Sequence, residues 1–220
     1  LSAAAVRELV GLDSNQLLVL LLFGKDKFLE RLWNHRHQFL PELADAGFDL
    51  IVAPSYSLWE PRPRPEHLYA LKRSLLVFEA LQALGAPVIP RVAWSVARDA
   101  DRLASWAAER PSLSHVGIDL TTYRGDRAYA DQLKLLERFD RLSGARLSYL
   151  INGPSRLDRV QALYAAVSCE RIHIANSRAI ARDSTPSTTF REKEETEENV
   201  VLAARRISRQ AATGELAPQM

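Results

Sequence analysis

Two charged side chains stand inside otherwise apolar runs: Arg91 in "PVIPRVAW" and Asp119 in "VGIDLTTY". A charge in mid-strand cannot comfortably face an apolar helix layer, so both are expected to point inward or toward an open strand end. Lying on consecutive runs, they could close into a buried bidentate pair that only fixes strand register. Left accessible, Arg91 would hold an anionic group and Asp119 would serve as acid or base. Asp26, after the first run, offers a second carboxylate, and two carboxylates at suitable separation support glycoside-type hydrolysis. Ser55, Asn152 and Asn176 add hydrogen-bonding groups. Tyr56, Trp59 and Trp94 add large rings on which a small polar or sugar-like ligand could stack.

All of these residues sit in, or just after, one of six short apolar runs. The runs are Leu17–Phe23, Leu50–Ala53, Val88–Trp94, His115–Thr121, Leu147–Ile151 and Arg171–Ala175. Most are apolar on both faces, as strands of a parallel sheet covered on both sides would be. Between them lie helical patterns such as "KFLERLWNHRHQFLPELADAG" and "PEHLYALKRSLLVFEALQALG", the second with Pro65 in its first turn and Gly85 at its end. Alternating strands and helices with short connections predict βαβ units in a parallel sheet. The expected fold is therefore α/β, a TIM-like (β/α) barrel or partial barrel of about six units, with a flat doubly wound sheet as the alternative. The chain opens on Leu1 rather than Met, which leaves room for further strands upstream. In such folds the C-terminal strand ends carry function, and those ends are where the candidate residues collect.

Residues 1–180 read as one barrel-like domain and residues 181–220 as a charged C-terminal helix with a frayed tail. The acidic run Glu192–Glu198 precedes Arg205, Arg206 and Arg209, an order that suits a helix macrodipole, with Val200, Val201, Ala204 and Ile207 as its buried stripe. The loop 55–64 is the other distinctive segment. "EPRPRP" stiffens it and presents Arg62 and Arg64, as a rim over the barrel mouth or, alternatively, as a surface for nucleic acid or a protein partner.

Composition narrows the classes. The net charge is +2, so the whole molecule is no magnet for nucleic acid or membrane, and all but five of its 29 basic residues are arginine. Cys169 stands alone, which excludes an internal disulfide framework and a cysteine zinc site and fits a reducing cytoplasm. The longest apolar run, "LLVLLLF", is too short to span a bilayer. His35 and His37 lie two apart in a helical pattern and so do not share a face, and His173 alternates with apolar neighbours like a core histidine. No metal and no cofactor is expected.

The segments "FLERLWNHRHQFLPEL", "APSYSLW" and "LGAPVIPRVAW" together resemble a family of uncharacterised bacterial and phage proteins, a domain of unknown function. That family's pattern has a helix with a Leu-Trp pair, a strand ending in Ser-Pro-Asp-Phe-Ser-Leu-Tyr, and a Gly-Ile-x-Val-Ile-Pro strand ending in Trp. The resemblance covers residues 28–95. This chain has Ala53-Pro54-Ser55-Tyr56 at the second element, so the acidic residue after the proline is missing and no catalytic role carries over to it. The resemblance implies the α/β fold and the importance of the second-strand loop; it implies no reaction.

Overall fold

Each of the six apolar runs contains a strand in the computed structural model of the chain. The structure describes residues 2–175 apart from 10, 14, 59–61 and 155, together with the backbone of 202–205. In chain order, helix α1 (Ala3–Leu9) leads into β1 (Leu17–Leu21), and the short helices α2 (Asp26–Asn34) and α3 (Arg36–Ala44) lead to β2 (Leu50–Val52). The long helix α4 (Arg64–Ala83) precedes β3 (Val88–Ile89), and α5 (Ala97–Ala108) precedes β4 (His115–Asp119). Then come α6 (Asp126–Leu142), β5 (Ser148–Asn152), α7 (Leu157–Ala166), a 3₁₀ turn (Cys169–Arg171) and β6 (Ile172–Ala175). A last strand, β7 (Leu202–Arg205), lies antiparallel to β1. No helix among the described residues is long and apolar enough to cross a membrane.

The strands follow sequence order. β3-β2-β1 pair in parallel with β7 on the outer edge of β1, and β4-β5-β6 pair in parallel in a second sheet. A single parallel bridge, Arg91 to Gly117, joins the two sheets. Alternation along the strands sorts the side chains. Leu18, Leu20 and Ile51 face α1, α3 and α4, while Val116, Ile118, Tyr149 and Ile151 face α5, α6 and α7. The opposite faces meet one another: Val19, Leu21, Val52, Ile89, Leu150 and Ala175 form one buried cluster. Residues of β1 and β2 can reach those of β5 and β6 only if the sheets curl. Gly117 marks how tight the curl is, because a Cβ there would lie 2.4 Å from Val52 Cγ1.

Three expectations change. The sheet is not a closed barrel: among the described residues β6 pairs only with β5, and the outer edge of β1 is taken by an antiparallel strand. The single helix expected from Lys27 to Gly47 is two helices broken at His35, whose φ is −111°. Side chains accept the break, with the Arg36 guanidinium donating to the Trp33 carbonyl (2.9 Å) and the His35 ring on the Arg31 carbonyl (3.1 Å). The segment expected to form a C-terminal helix lies largely outside the described residues. Within them, Leu202–Arg205 is a strand, since the free edge of β1 offers backbone partners that an isolated helical turn lacks.

A buried carboxylate anchors the junction between the third strand and α5. Asp99 accepts hydrogen bonds from both terminal nitrogens of Arg64, one at 2.9 Å, and from the backbone N–H groups of Ser95 (3.0 Å) and Val96 (3.3 Å). Burial pushes its pKa up, but these donors outweigh burial and hold the carboxyl below its ordinary value. A group whose folded pKa is depressed contributes stability above its unfolded pKa and loses it as pH falls through the folded one. Asp99→Asn should therefore cost most at neutral pH, with the penalty shrinking below about pH 4. Urea titrations of both proteins across that range would read it. At the opposite strand ends, Tyr149 donates to Asp140 (2.7 Å) and Arg171 grips both oxygens of the same carboxylate (2.6 and 2.9 Å).

Candidate functional site

The curled strands end around a cavity of about 450 Å³. Its walls come from the ends of the first four strand units: Phe23 and Gly24 after β1, Ser55 to Leu58 after β2, Arg91 to Trp94 after β3, and Ile118 to Leu120 with Thr122 and Tyr123 at β4, joined by Gln132 from α6. A recess of about 20 Å³ opens beside it and adds Leu150 and Asn152 from β5.

Local chemistry sets each wall. The loop after β2 is tied down by the Ser55 N–H donating to the Leu22 carbonyl (3.1 Å) and by the Ser74 hydroxyl donating to the Pro54 carbonyl (2.7 Å). On β4, alternation sends Val116, Ile118 and Leu120 to the helices and leaves Asp119 on the inner face, beside Asn152 in register. Thr121 then takes one oxygen of that carboxylate: its N–H (2.8 Å) and its hydroxyl (2.6 Å) both donate to Oδ1. The turn that does this rests on Gly153. That residue has φ +125°, and a Cβ on it would fall 2.7 Å from the Thr121 nitrogen and 2.8 Å from the Leu120 carbonyl carbon.

Arg91 and Asp119 face each other at 3.8 Å, both side chains deeply buried. The bidentate pair is not formed. Asp119 Oδ2 and Arg91 Nε are buried with no hydrogen-bond partner among the described residues. Burial lowers the pKa of the Arg91 guanidinium, with Asp119 the chief charge opposing that shift. Buried polar atoms are nearly always hydrogen-bonded, so two left over on residues that line a cavity stand out.

The other expected residues divide. Ser55 lines both hollows, Asn152 the smaller one, and Trp94 forms a buried back wall packed on Phe139 at 5.5 Å. Tyr56 lines the cavity but is no free stacking platform. It is buried against Leu29 and Ala70, with the Arg73 guanidinium 4.1 Å over its face. Asp26 does not line the cavity; it lies in the first turn of α2 and accepts a hydrogen bond from Ser57 (2.6 Å). Trp59 and Asn176 fall outside the described residues. Arg64 is engaged by Asp99 and Arg62 by Glu66 (2.7 Å), so neither guanidinium is held out as the loop reading expected. Phe23, Tyr123 and Gln132 were missed. Phe23 ends its apolar run and looks like core, and Gln132 is one polar residue among many on an amphipathic helix.

Burial pushes the Tyr56 phenol up to about 12, against the lowering influence of Arg73, so it stays protonated at physiological pH. Its hydroxyl is buried with no hydrogen-bond partner among the described residues. Tyr56→Phe should therefore raise stability by about 1 kcal/mol in the ligand-free protein. Chemical denaturation would check this, and a clear loss of stability would mean the hydroxyl has a partner after all.

Comparison with known proteins agrees with the resemblance noted in the sequence. No curated protein and no solved structure matches the chain. A family model described as Domain of unknown function (DUF4417) matches residues 5–129, a span that runs from α1 into α6 and contains Arg91, Asp119 and the loop after β2. With more than half of its length matched, the chain belongs to the DUF4417 family.

Proposed function

We propose that the cavity at the C-terminal strand ends binds a small polar ligand, held between Arg91 and Asp119. One observation carries this reading: Arg91 and Asp119, an incompletely hydrogen-bonded buried pair, both line a 450 Å³ cavity. Such a volume lies in the roughly 300–1,000 Å³ range of small-molecule sites, which pair apolar walls with a few placed polar groups. The reading goes with an open (β/α) barrel, its six parallel strands curled around the inner cluster. Sites in that architecture form at this end of the sheet.

Binding is better supported than hydrolysis. Asp119 is the one carboxylate among the described lining residues, and Asp26, the second carboxylate a glycoside hydrolase would need, lies outside the cavity. A nucleic-acid or protein partner on the loop 55–64 draws no support from its arginines, since each is already paired with a carboxylate. A cytoplasmic setting rests on the single cysteine alone.

The test is a polar fragment screen by nuclear magnetic resonance, reading the backbone amides of Ser55, Asp119 and Thr121 and the Nε–H of Arg91. Binders should perturb these signals in the parent protein and not in Arg91→Met/Asp119→Asn. Fragments that perturb both proteins alike, or only remote amides, would sink the proposal.

A further inference from the structure

We infer that the ligand is an uncharged carbohydrate presenting two neighbouring hydroxyl groups; this rests on the proposed cavity site and narrows it. The charge balance comes first. Among the described lining residues Arg91 and Asp119 are the charged ones, and they cancel. An anion brought to Arg91 would be placed beside the buried carboxylate, and a cation brought to Asp119 beside the buried guanidinium. In a low-dielectric site like charges repel strongly. Arg91 is thus not the anion binder that its sequence position suggests.

A neutral group that donates to the Asp119 carboxylate and accepts from the Arg91 guanidinium leaves the ion pair in place. Each hydroxyl can do either. Two of them on adjacent ring carbons offer one donor and one acceptor side by side. Thr121 occupies Oδ1, which leaves Oδ2 as the oxygen of Asp119 still without a donor among the described residues.

The walls separate a sugar from a primary carboxamide, which offers the same donor and acceptor. Around the charged pair stand Ser55, Thr122 and Gln132, further hydrogen-bonding groups that a carboxamide would leave unused and a ring of hydroxyls would meet. Phe23 and Tyr123 are half-buried and offer ring surface to the C–H face of a sugar. A polyhydroxylated ring with one apolar face matches both kinds of wall.

The experiment compares molecules that differ in charge alone. D-glucose and D-galactose are titrated beside their uronates and beside glucosamine, by calorimetry, on the parent protein and on Arg91→Met/Asp119→Asn. The expected result is that a neutral hexose binds the parent, with the matching charged forms about tenfold weaker or worse. The double variant should bind none of them. Uronates binding more tightly than hexoses, with loss in the double variant, would overturn the neutral-ligand inference while leaving the cavity site standing. Hexose binding that persists in the double variant would overturn both, because the sugar would then sit elsewhere. No heat from any of these sugars would remove the carbohydrate assignment, leaving the site to be judged by the fragment screen.

Discussion

Replacing Gly153 with alanine should be the most damaging single-methyl change in the described chain, at about 4 kcal/mol. Two costs add. The φ of +125° is one that L side chains rarely adopt, and holding a non-glycine residue in such a region costs about 1–3 kcal/mol. The new Cβ would also press on the Thr121 nitrogen and the Leu120 carbonyl carbon. Both are backbone atoms, so no rotamer change can make room. Movement of Thr121 would release its two hydrogen bonds to Asp119, so any ligand binding should fall together with stability. Gly125 supplies the control: its φ is −74° and nothing lies within 4 Å of a Cβ built on it. Gly125→Ala should stay within about 0.5 kcal/mol of the parent. Urea denaturation of the two variants reads the contrast, and equal midpoints would show that the Gly153 turn is not the constraint described.

The second large effect concerns the charged pair. Arg91→Met should cost about 3 kcal/mol, because it leaves the buried Asp119 without its counter-charge. Adding Asp119→Asn to that variant should recover most of the loss, to within about 1 kcal/mol of the parent, since replacing both members of a buried pair is often neutral. The introduced carboxamide would keep an oxygen for Thr121. A pair that can be deleted together at little cost is not what holds the strands, and its presence then calls for a ligand. Asp119→Asn alone should abolish binding and carry a similar stability cost, because it leaves the buried Arg91 guanidinium without its counter-charge. If the double variant is as unstable as Arg91→Met, the pair is a structural support for the two sheets and the site loses its main observation.

Much of this was legible in the sequence, for identifiable reasons. Strands covered on both faces are largely apolar throughout, so all six runs read as strands from sequence alone. A charge inside such a run has few places to go, which is why Arg91 and Asp119 stood out and why both face inward. What escaped depends on side chains that meet from distant parts of the chain. The pair is loose because Thr121 captures one carboxylate oxygen, a matter of local turn geometry. Tyr56 is buried because Arg73, from the next helix, lies over its ring. Arg64 is spent because Asp99 reaches it across 35 residues. The strand at 202–205 sits in a stretch with helical spacing and is decided by the open edge of β1, which local propensity cannot report.

The two parallel sheets meet at the Arg91–Gly117 bridge, just beyond β3 and within β4. Two backbone hydrogen bonds make that joint, Gly117 N–H to the Pro90 carbonyl (2.8 Å) and Val92 N–H to the Gly117 carbonyl (3.0 Å), whereas β4 and β5 pair over five residues. Arg91 stands on one side of the joint and Asp119 on the other. A molecule that clasps both side chains therefore rivets two plates at the line where they are least welded. The domain's resistance to being pulled apart would rise with occupancy, and the exchange of the Gly117 and Val92 amide protons with heavy water would slow in step.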